Sequence, residues 1–225
     1  MSVSTPRPAA TIVVVRDAES GAGFEVLLVR RNDQIAFMGG AFVFPGGRVD
    51  DADLDRAGGD EAAAYRLAAV RELQEEAGVQ VDPSELVLIA HWVTPEVEPR
   101  RYDTRFFLAR MPDNQAARHD ESETTELAWM TPREAIERCE RGLILLPPPT
   151  WTTLKRMQRH ETTEELFEWA TSVAIPRVQP LLIEEADQKM LTLPGDPTYP
   201  TIDGWDIPED TRFLLQDGRW RPVKL

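Results

Sequence analysis

Residues 71–78 read RELQEEAG and place three carboxylates, those of Glu72, Glu75 and Glu76, within little more than one helical turn. Positions three and four apart share a face of a helix, so these like charges repel one another by roughly a few tenths of a kcal/mol per pair. A solvated acidic surface is one explanation of this crowding. A site that binds a cation is the other, and the surrounding sequence must decide between them.

The helix that carries these glutamates is predicted to run from Glu61 to Ala77, with Gly78 as its C-terminal stop. On a helical wheel, the predicted buried stripe consists of Ala63, Leu67, Val70 and Ala77. The three glutamates fall on the opposite side and form a compact, oxygen-rich patch. Hard divalent cations such as Mg²⁺ bind such oxygens and keep room for water and substrate phosphates.

Two neighbouring features favour a metal site. Arg71 stands four residues before Glu75 and can orient that carboxylate through a bidentate contact. Upstream, the FPGG stretch from Phe44 to Gly47 predicts a tight turn, because glycines let backbone carbonyls and amides come close to a ligand.

Short apolar or β-branched runs predict strands along the first two thirds of the chain. They are AATIVVV from Ala9, FEVLLV from Phe24, AFVF before Pro45-Gly46-Gly47, LVLIAHWV from Leu86, RFFLA from Arg105 and ELAWM from Glu126. Residues 49–60 are polar and contain glycine, so they are predicted to form a loop. Thr131 and Pro132 predict the start of a further helix, which ends near Arg141. This pattern predicts an α+β sandwich, a mixed sheet with helices on its faces.

The chain changes character after the triple proline at 147–149. Two short helical patterns, at 151–159 and 163–171, precede a proline-rich tail with strand-like pieces near 179–183 and 212–215. We therefore predict a core of residues 1–146 and a C-terminal helical and proline-rich extension of residues 147–225. Four of the six tryptophans lie beyond residue 150, which indicates that the extension packs on the core.

Composition narrows the class of function. The 39 acidic against 25 basic residues give a formal charge of -14, so a general nucleic-acid binder is not expected, and a polyphosphate needs local arginines or bound cations. No apolar run reaches the ~20 residues of a membrane span, and no signal peptide is evident. The single Cys139 excludes an internal disulfide and suits a reducing compartment. A cytoplasmic location is expected, and a homodimer stays open.

The stretch RELQEEAGV from Arg71, preceded by the FPGG turn, resembles the signature of the Nudix hydrolases, which cut a diphosphate that links a nucleoside to another group. The resemblance implies an α/β/α sandwich and dependence on Mg²⁺ or Mn²⁺. It also implies metal ligation by Glu75, Glu76 and the Gly46 carbonyl, with a catalytic or ligand role for Glu72. Arg71 belongs to the same catalytic motif.

Two departures from the family pattern precede the motif. Arg71 follows Gly47 by 24 positions, about ten more than in the usual pattern, so a loop is inserted. A family glutamate expected eight positions before Arg71 is replaced by Ala63, for which Asp60 or Glu61 are the alternatives. A long insertion followed by a C-terminal extension resembles a subgroup that includes peroxisomal coenzyme A diphosphatases.

Substrate contacts are predicted for Arg31, Arg105 and Gly47. Arg31 lies in the part of the chain that resembles the coenzyme A subgroup, whereas Arg105, together with Arg100 and Arg101, could grip outer phosphates. The acid that takes a proton from water is either Glu72 or a residue before the last core strand, namely Glu121, Glu123 or Glu126. An apolar tail could lie against Trp151, Leu154, Met157, Leu166, Phe167 and Trp169.

Three functions are compatible with these residues. The first is hydrolysis of coenzyme A or acyl-coenzyme A, the second is hydrolysis of ADP-ribose, NADH or a similar diphosphate, and the third is nucleotide sensing without cleavage. Retention of Glu72, Glu75 and Glu76 favours an enzyme, because a pure binder has no chemical need for clustered metal carboxylates. The predicted partner is a small nucleotide diphosphate.

Overall fold

A computed structural model describes residues 4–19, 21–32, 39–118, 124–185, 188–206, 208 and 210–223. Its main element is an eight-stranded mixed sheet. The strands are β1 (Arg7–Asp17), β2 (Phe24–Arg31), β3 (Phe42–Val43), β4 (Gly46–Arg48), β5 (Val87–Val93), β6 (Tyr102–Arg110), β7 (Thr124–Met130) and β8 (Arg177–Val178). Hydrogen bonding runs in the order β3-β2-β1-β6-β5-β8, while β4 pairs with β1 and β7 with β2. β1 lies parallel to β6, and β5 lies parallel to β8.

Helices cover both faces of this sheet. They are α1 (Asp51–Arg56), α2 (Glu61–Ala77), α3 (Pro132–Glu140), α4 (Pro148–Met157) and α5 (Thr163–Ser172), with a 3-10 turn at Pro83–Glu85. On one face, Tyr65 and Leu73 of α2 pack in a cluster with Ile12 of β1. On the other face, Leu154 of α4 and Leu166 of α5 pack in a second cluster. The predicted α+β sandwich is confirmed.

The predicted bounds of α2 are confirmed by its caps. The Asp60 side chain accepts hydrogen bonds from the amides of Ala62 and Ala63, at 2.9 and 3.2 Å. At the other end Gly78 adopts a φ of 67°, a left-handed conformation that closes a helix at little cost only for glycine.

The buried side of α2 differs from the prediction. Its buried residues are Ala64, Tyr65, Ala68, Ala69, Leu73, Glu76 and Ala77. Of the predicted stripe only Ala77 is buried, whereas Ala63, Leu67 and Val70 are half-buried. The small alanines let the helix approach β1 closely, and its last turns face β4, so Glu76 joins the buried side instead of lying opposite to it.

Residues 49–60 are not a simple loop, because they contain α1. The Asp50 amide donates a hydrogen bond to Asp53 Oδ2 at 3.1 Å, as part of a capping box between the two residues. Asp53 is 1% exposed and is the one buried residue of this helix. A helix of six residues held by a capping box and one buried carboxylate has no apolar stripe, so its hydrophobic pattern could not reveal it.

The C-terminal extension contains a second sheet that the sequence only partly indicated. Its antiparallel strands, in the order β12-β11-β10-β9, are β9 (Leu181–Glu185), β10 (Gln188–Thr192), β11 (Arg212–Gln216) and β12 (Arg219–Val223). The description as helical and proline-rich was therefore incomplete. The extension shares a hydrophobic cluster with the main sheet through Trp151 and Phe213, and its β8 extends that sheet. The domain boundary at residue 147 stays a prediction.

No helix in the described ranges is both long enough and apolar enough to cross a membrane.

Candidate active site

The last turns of α2 lie against β4. The Gly46 N–H donates a hydrogen bond to Glu76 Oε2 at 3.0 Å, and Glu76 is only 6% exposed. Next to it, the Ile12 N–H donates a hydrogen bond to the Pro45 carbonyl at 2.9 Å, so Ile12 and Pro45 are a hydrogen-bonded pair at the start of the ladder between β1 and β4. Hydrogen-bonded and non-hydrogen-bonded pairs alternate along such a ladder. In an antiparallel ladder this alternation directs both the N–H and the C=O of Gly46 away from β1. The Gly46 carbonyl therefore lies on the same edge of β4 as Glu76.

Gly47 makes room for Glu72. A Cβ atom at position 47 would lie 2.3 Å from Glu72 Oε1 and 2.7 Å from Oε2, closer than real contacts allow. The register of β4 places Gly47 opposite Ala10, where its amide and carbonyl face β1. The contribution of Gly47 to the site is thus the absence of a side chain, rather than the free backbone groups expected of the turn.

Arg71 connects three carboxylates and β4. Its Nη1 donates to Glu72 Oε1 at 2.8 Å and to Glu75 Oε2 at 3.0 Å. Its Nη2 donates to Asp53 Oδ2 at 3.0 Å and to the Arg48 carbonyl at 2.8 Å. Burial on its own would lower the pKa of Arg71, but the hydrogen bond to Asp53 and the charge of Glu72 outweigh burial and raise that pKa above its usual range. The guanidinium therefore holds its charge and fixes the carboxylates around it.

The oxygen donors at this place fit a hard divalent cation. Glu72 and Glu76 both approach the Gly46-Gly47 pair, and the Gly46 carbonyl shares that edge. Within the described part of the chain, no three His, Cys, Asp or Glu side chains already converge on one point as a closed metal site. The carboxylates are instead paired with Arg71 and the Gly46 amide.

A cavity of about 570 Å³ opens onto these residues. Part of its wall is charged and comes from α2 and β4, including Arg48, Glu72, Glu75 and Glu76. Another part is apolar and comes from the extension. That part consists of Pro147, Pro148, Pro149, Pro180, Leu191 and Trp220.

The predicted substrate-binding arginines lie in different places. Arg31, at the end of β2, and Arg100, in the loop between β5 and β6, both line the cavity. Arg105 does not line the cavity. Side chains alternate between the two faces of the sheet along β6, and its neighbours Thr104 and Phe106 are the ones that face the cavity. The Arg105 guanidinium lies 4.7 Å from the centre of the Tyr65 ring, on the face covered by α2. Its position gives no support to phosphate binding.

Arg101 is a structural residue rather than a phosphate ligand. It is 6% exposed, and its guanidinium donates to the carbonyl oxygens of Ser4 and Thr94 and to Gln179 Oε1, at 2.8 to 3.0 Å. These bonds tie the N-terminus, the β5–β6 loop and the extension together.

The apolar wall is built from residues other than those expected. Trp151, Leu154, Met157 and Leu166 are each at most 1% exposed and pack in the core between the extension and the sheet. Phe167 and Trp169 are partly buried against the same cluster. Of α4, only Pro148, Pro149 and Thr150 in its first turn line the cavity, because Trp151, Leu154 and Met157 face the core.

Of the acids considered as the base, those with a described position differ in whether they line the cavity. Glu121 and Glu123 lie outside the described residues. Glu126 is exposed on β7 and is not part of the cavity wall, whereas Glu72 is. Glu98, between β5 and β6, also lines the cavity, and no motif in the sequence singled it out. Asp53 was missed as well, since the segment that holds it was predicted to be a loop.

Comparison with known proteins decides the family. The family model of the NUDIX domain matches residues 5–147. This chain belongs to the Nudix family. The Nudix fold and the diphosphatase class predicted from the sequence are thereby confirmed, and enzymes of this family generally use divalent cations and act on small nucleotide substrates.

Several relatives of this Nudix chain align along most of its length. The acyl-coenzyme A diphosphatase NUDT19 of Xenopus laevis is 25% identical over 79% of this chain and 72% of the relative. The putative nudix hydrolase 7 of Caenorhabditis elegans is 29% identical over 85% of this chain and 75% of the relative. Among solved structures, a NUDIX hydrolase from Alicyclobacillus acidocaldarius superimposes with a TM-score of 0.67 at 25% identity, over 78% of this chain and 100% of that one.

Proposed function

We propose that this Nudix hydrolase splits coenzyme A or acyl-coenzyme A between its two phosphates, with Mg²⁺ or Mn²⁺ as its metal. The observation that carries the proposal is a shared cavity, in which the glutamates of α2 and an apolar surface from the extension form parts of one wall. Relatives named acyl-coenzyme A diphosphatases align over 79% of this chain, which includes part of the extension.

The two parts of the cavity wall match the two parts of such a substrate. Coenzyme A joins an adenosine 3'-phosphate to a long, partly apolar pantetheine arm. Arg31 and Arg100 are the cavity arginines available for the nucleotide phosphates, since guanidinium groups suit phosphate geometry. Leu191, Trp220 and the four prolines offer the arm a surface whose prolines lose little conformational entropy on binding.

The side chains around α2 have distinct roles in this reaction. Glu75 and Glu76, with the Gly46 carbonyl, would hold the metal, and Arg71 orients Glu72 and Glu75. When bound, the metal neutralises the diphosphate oxygens and lowers the pKa of a water. Glu72, against Gly47, is the described carboxylate that we assign as the base for the attacking water. Arg31 and Arg100 would bind the charge of the outer phosphates.

An activity screen tests the proposal. The purified chain is incubated with Mg²⁺ or Mn²⁺ and with coenzyme A, acetyl-coenzyme A, ADP-ribose, NADH or nucleoside triphosphates, and the products are identified by mass. We expect adenosine 3',5'-bisphosphate and the 4'-phosphopantetheine fragment, and no turnover after chelation of the metal. Glu76→Gln serves as the inactive control.

Other outcomes would lead to different conclusions. Much higher kcat/KM for ADP-ribose or NADH with coenzyme A left intact would make the coenzyme A assignment wrong while the diphosphatase class stands. Tight nucleotide binding with no turnover of any substrate would favour a nucleotide-binding regulator. Homodimer formation and a cytoplasmic location stay predictions, and light scattering on a sizing column checks the former.

A further inference from the structure

We propose that Asp53, from the inserted segment, is the positioning residue of the active-site arginine, Arg71. The proposal rests on the proposed function, since it concerns the same metal-binding helix. It gives the insertion a defined role, because α1 delivers one buried carboxylate to Arg71.

The contacts of Asp53 hold the Arg71 guanidinium in a fixed position. It is 1% exposed, although an aspartate in a polar segment would ordinarily be solvated. Arg71 reaches it with two nitrogens: Nε lies 3.3 Å from Oδ1, and Nη2 lies 3.0 Å from Oδ2. The Asp50 amide fixes the same carboxylate from the other side, at 3.1 Å. The Arg71–Asp53 pair is thus held in one geometry.

Asp60 and Glu61, the two replacements that the sequence suggested for the missing family glutamate, have other places in the structure. Asp60 caps α2 through the amides of Ala62 and Ala63, and Glu61 is exposed in the first turn. Position 63 itself lies inside α2, about 12 Å along the helix axis from Arg71. The carboxylate that contacts Arg71 from outside α2 at close range comes from α1 instead.

Asp53 acts on the site through the guanidinium. Because Nε and Nη2 are held by Asp53 and by the Arg48 carbonyl, the planar group is fixed and its Nη1 points to Glu72 and Glu75. Partners behind the groups that bind a metal typically change metal affinity or activity by about 10- to 100-fold when they are removed. We expect a change of this size when the charge of Asp53 is lost.

The test compares Asp53→Asn with Asp55→Asn, a matched change of an exposed residue on the same helix. Asp53→Asn keeps the volume and an acceptor for the Asp50 amide but removes the charge. It should lower kcat for the substrate found in the screen by about 10- to 100-fold, with a smaller change in KM. Asp55→Asn should stay within about two-fold. Wild-type kcat in Asp53→Asn would overturn the proposal.

A double-mutant cycle separates positioning from general stability. In an Arg71→Gln background, Asp53→Asn should lower kcat hardly further, because its effect passes through Arg71. Full additivity of the two losses would show that Asp53 acts by another route and would overturn the proposal.

Two measurements do not depend on turnover. Nitrogen-15 NMR should show a distinct Arg71 Nε–H signal, assigned with Arg71→Gln, that moves in Asp53→Asn but not in Asp55→Asn. Titration with Mn²⁺ should show weaker Mn²⁺ binding in Asp53→Asn but not in Asp55→Asn. If no substrate is cleaved, the proposed function fails, but these two measurements still test whether Asp53 positions Arg71. An unmoved Arg71 signal together with unchanged Mn²⁺ binding would overturn that positioning role.

Discussion

Replacement of Gly47 by alanine should lower activity by about 100-fold while the fold survives. The added Cβ would stand 2.3 Å from Glu72 Oε1, whereas ordinary contact begins at 3.4 Å, so the carboxylate has to retreat by about 1 Å. The atoms it meets are the end of a flexible side chain, which can move. A displacement of about 1 Å at a reacting group can cost about 100-fold in rate, equivalent to about 2.7 kcal/mol of transition-state stabilisation.

The same substitution should leave the unfolding free energy almost unchanged. Gly47 lies in β4 without a left-handed φ, so alanine fits its backbone. Loss of glycine's freedom in the unfolded chain stabilises the fold by about 0.4 to 1 kcal/mol, which offsets part of the local crowding. The expected result is a melting temperature close to that of the wild type.

Gly46→Ala is the matched comparison, because its added Cβ meets backbone instead. That atom would lie 2.5 Å from the Ala10 carbonyl oxygen and 2.8 Å from Thr11 Cα, in a strand at the centre of the sheet. The strands would have to separate, at a cost of about 1 to 3 kcal/mol. Gly46→Ala should therefore lower the melting temperature by several degrees, roughly 2 to 4 °C per kcal/mol for a chain of this size.

The assay measures kcat/KM with Mg²⁺ or Mn²⁺ next to thermal unfolding without metal. Gly47→Ala in a Glu72→Gln background should add little further loss, since both changes affect the same carboxylate. Near-normal activity of Gly47→Ala at a normal melting temperature would refute the reasoning, because Glu72 would then tolerate the displacement. A Gly47→Ala chain that does not fold would refute the assignment of the clash to a movable side chain.

Three further predictions use the same measurements. Glu76→Gln and Glu75→Gln should each lower turnover by orders of magnitude and hardly lower metal-free stability, since repulsion between like charges is relieved; near-normal turnover at modest metal concentration would contradict them as ligands. Burial would raise the pKa of Asp196, but hydrogen bonds led by that of Arg212 hold it below its usual value. The Asp196 carboxylate therefore contributes its full stabilisation above the unfolded pKa and loses it as pH falls through the lower folded pKa. Asp196→Asn should lower the free energy of unfolding by about 2 kcal/mol at pH 7 and should make that free energy fall less at acidic pH. An unchanged fall at acidic pH would count against this prediction. Trp220→Ala should raise KM for coenzyme A more than for ADP-ribose, and equal increases would argue against an arm-binding wall.

The elements that lie close together in sequence could be predicted from the sequence. Six of the eight described strands of the main sheet and the start and end of α2 follow from local signals, namely β-branched or apolar runs, the Asp60 cap and the Gly78 stop, whereas β4 and β8 were not predicted. The motif that places Glu72, Glu75 and Glu76 beside one another is also local, because one helical turn holds it. The family followed from that motif and from the FPGG turn.

The features that depend on contacts far apart in sequence were missed or misplaced. The role of α1 depends on one ion pair across 18 residues, between Asp53 and Arg71, which no hydrophobic pattern encodes. Arg105 faces α2 rather than the cavity, because the register between β6 and β1 decides the face that each side chain takes. The apolar wall likewise depends on how the second sheet packs, which brings Leu191 and Trp220 to the cavity and leaves Trp151 in the core.

The sequence by itself therefore determined the fold class, the acidic motif of α2 and the enzyme family, since these depend on residues within a few turns or strands of one another. The tertiary structure alone decided which carboxylate outside α2 contacts Arg71, which of the predicted arginines face the cavity, and which residues form the apolar part of the cavity wall. The physical reason is that such contacts are fixed by sheet register and by the docking of the extension, and neither leaves a period or a spacing in the chain.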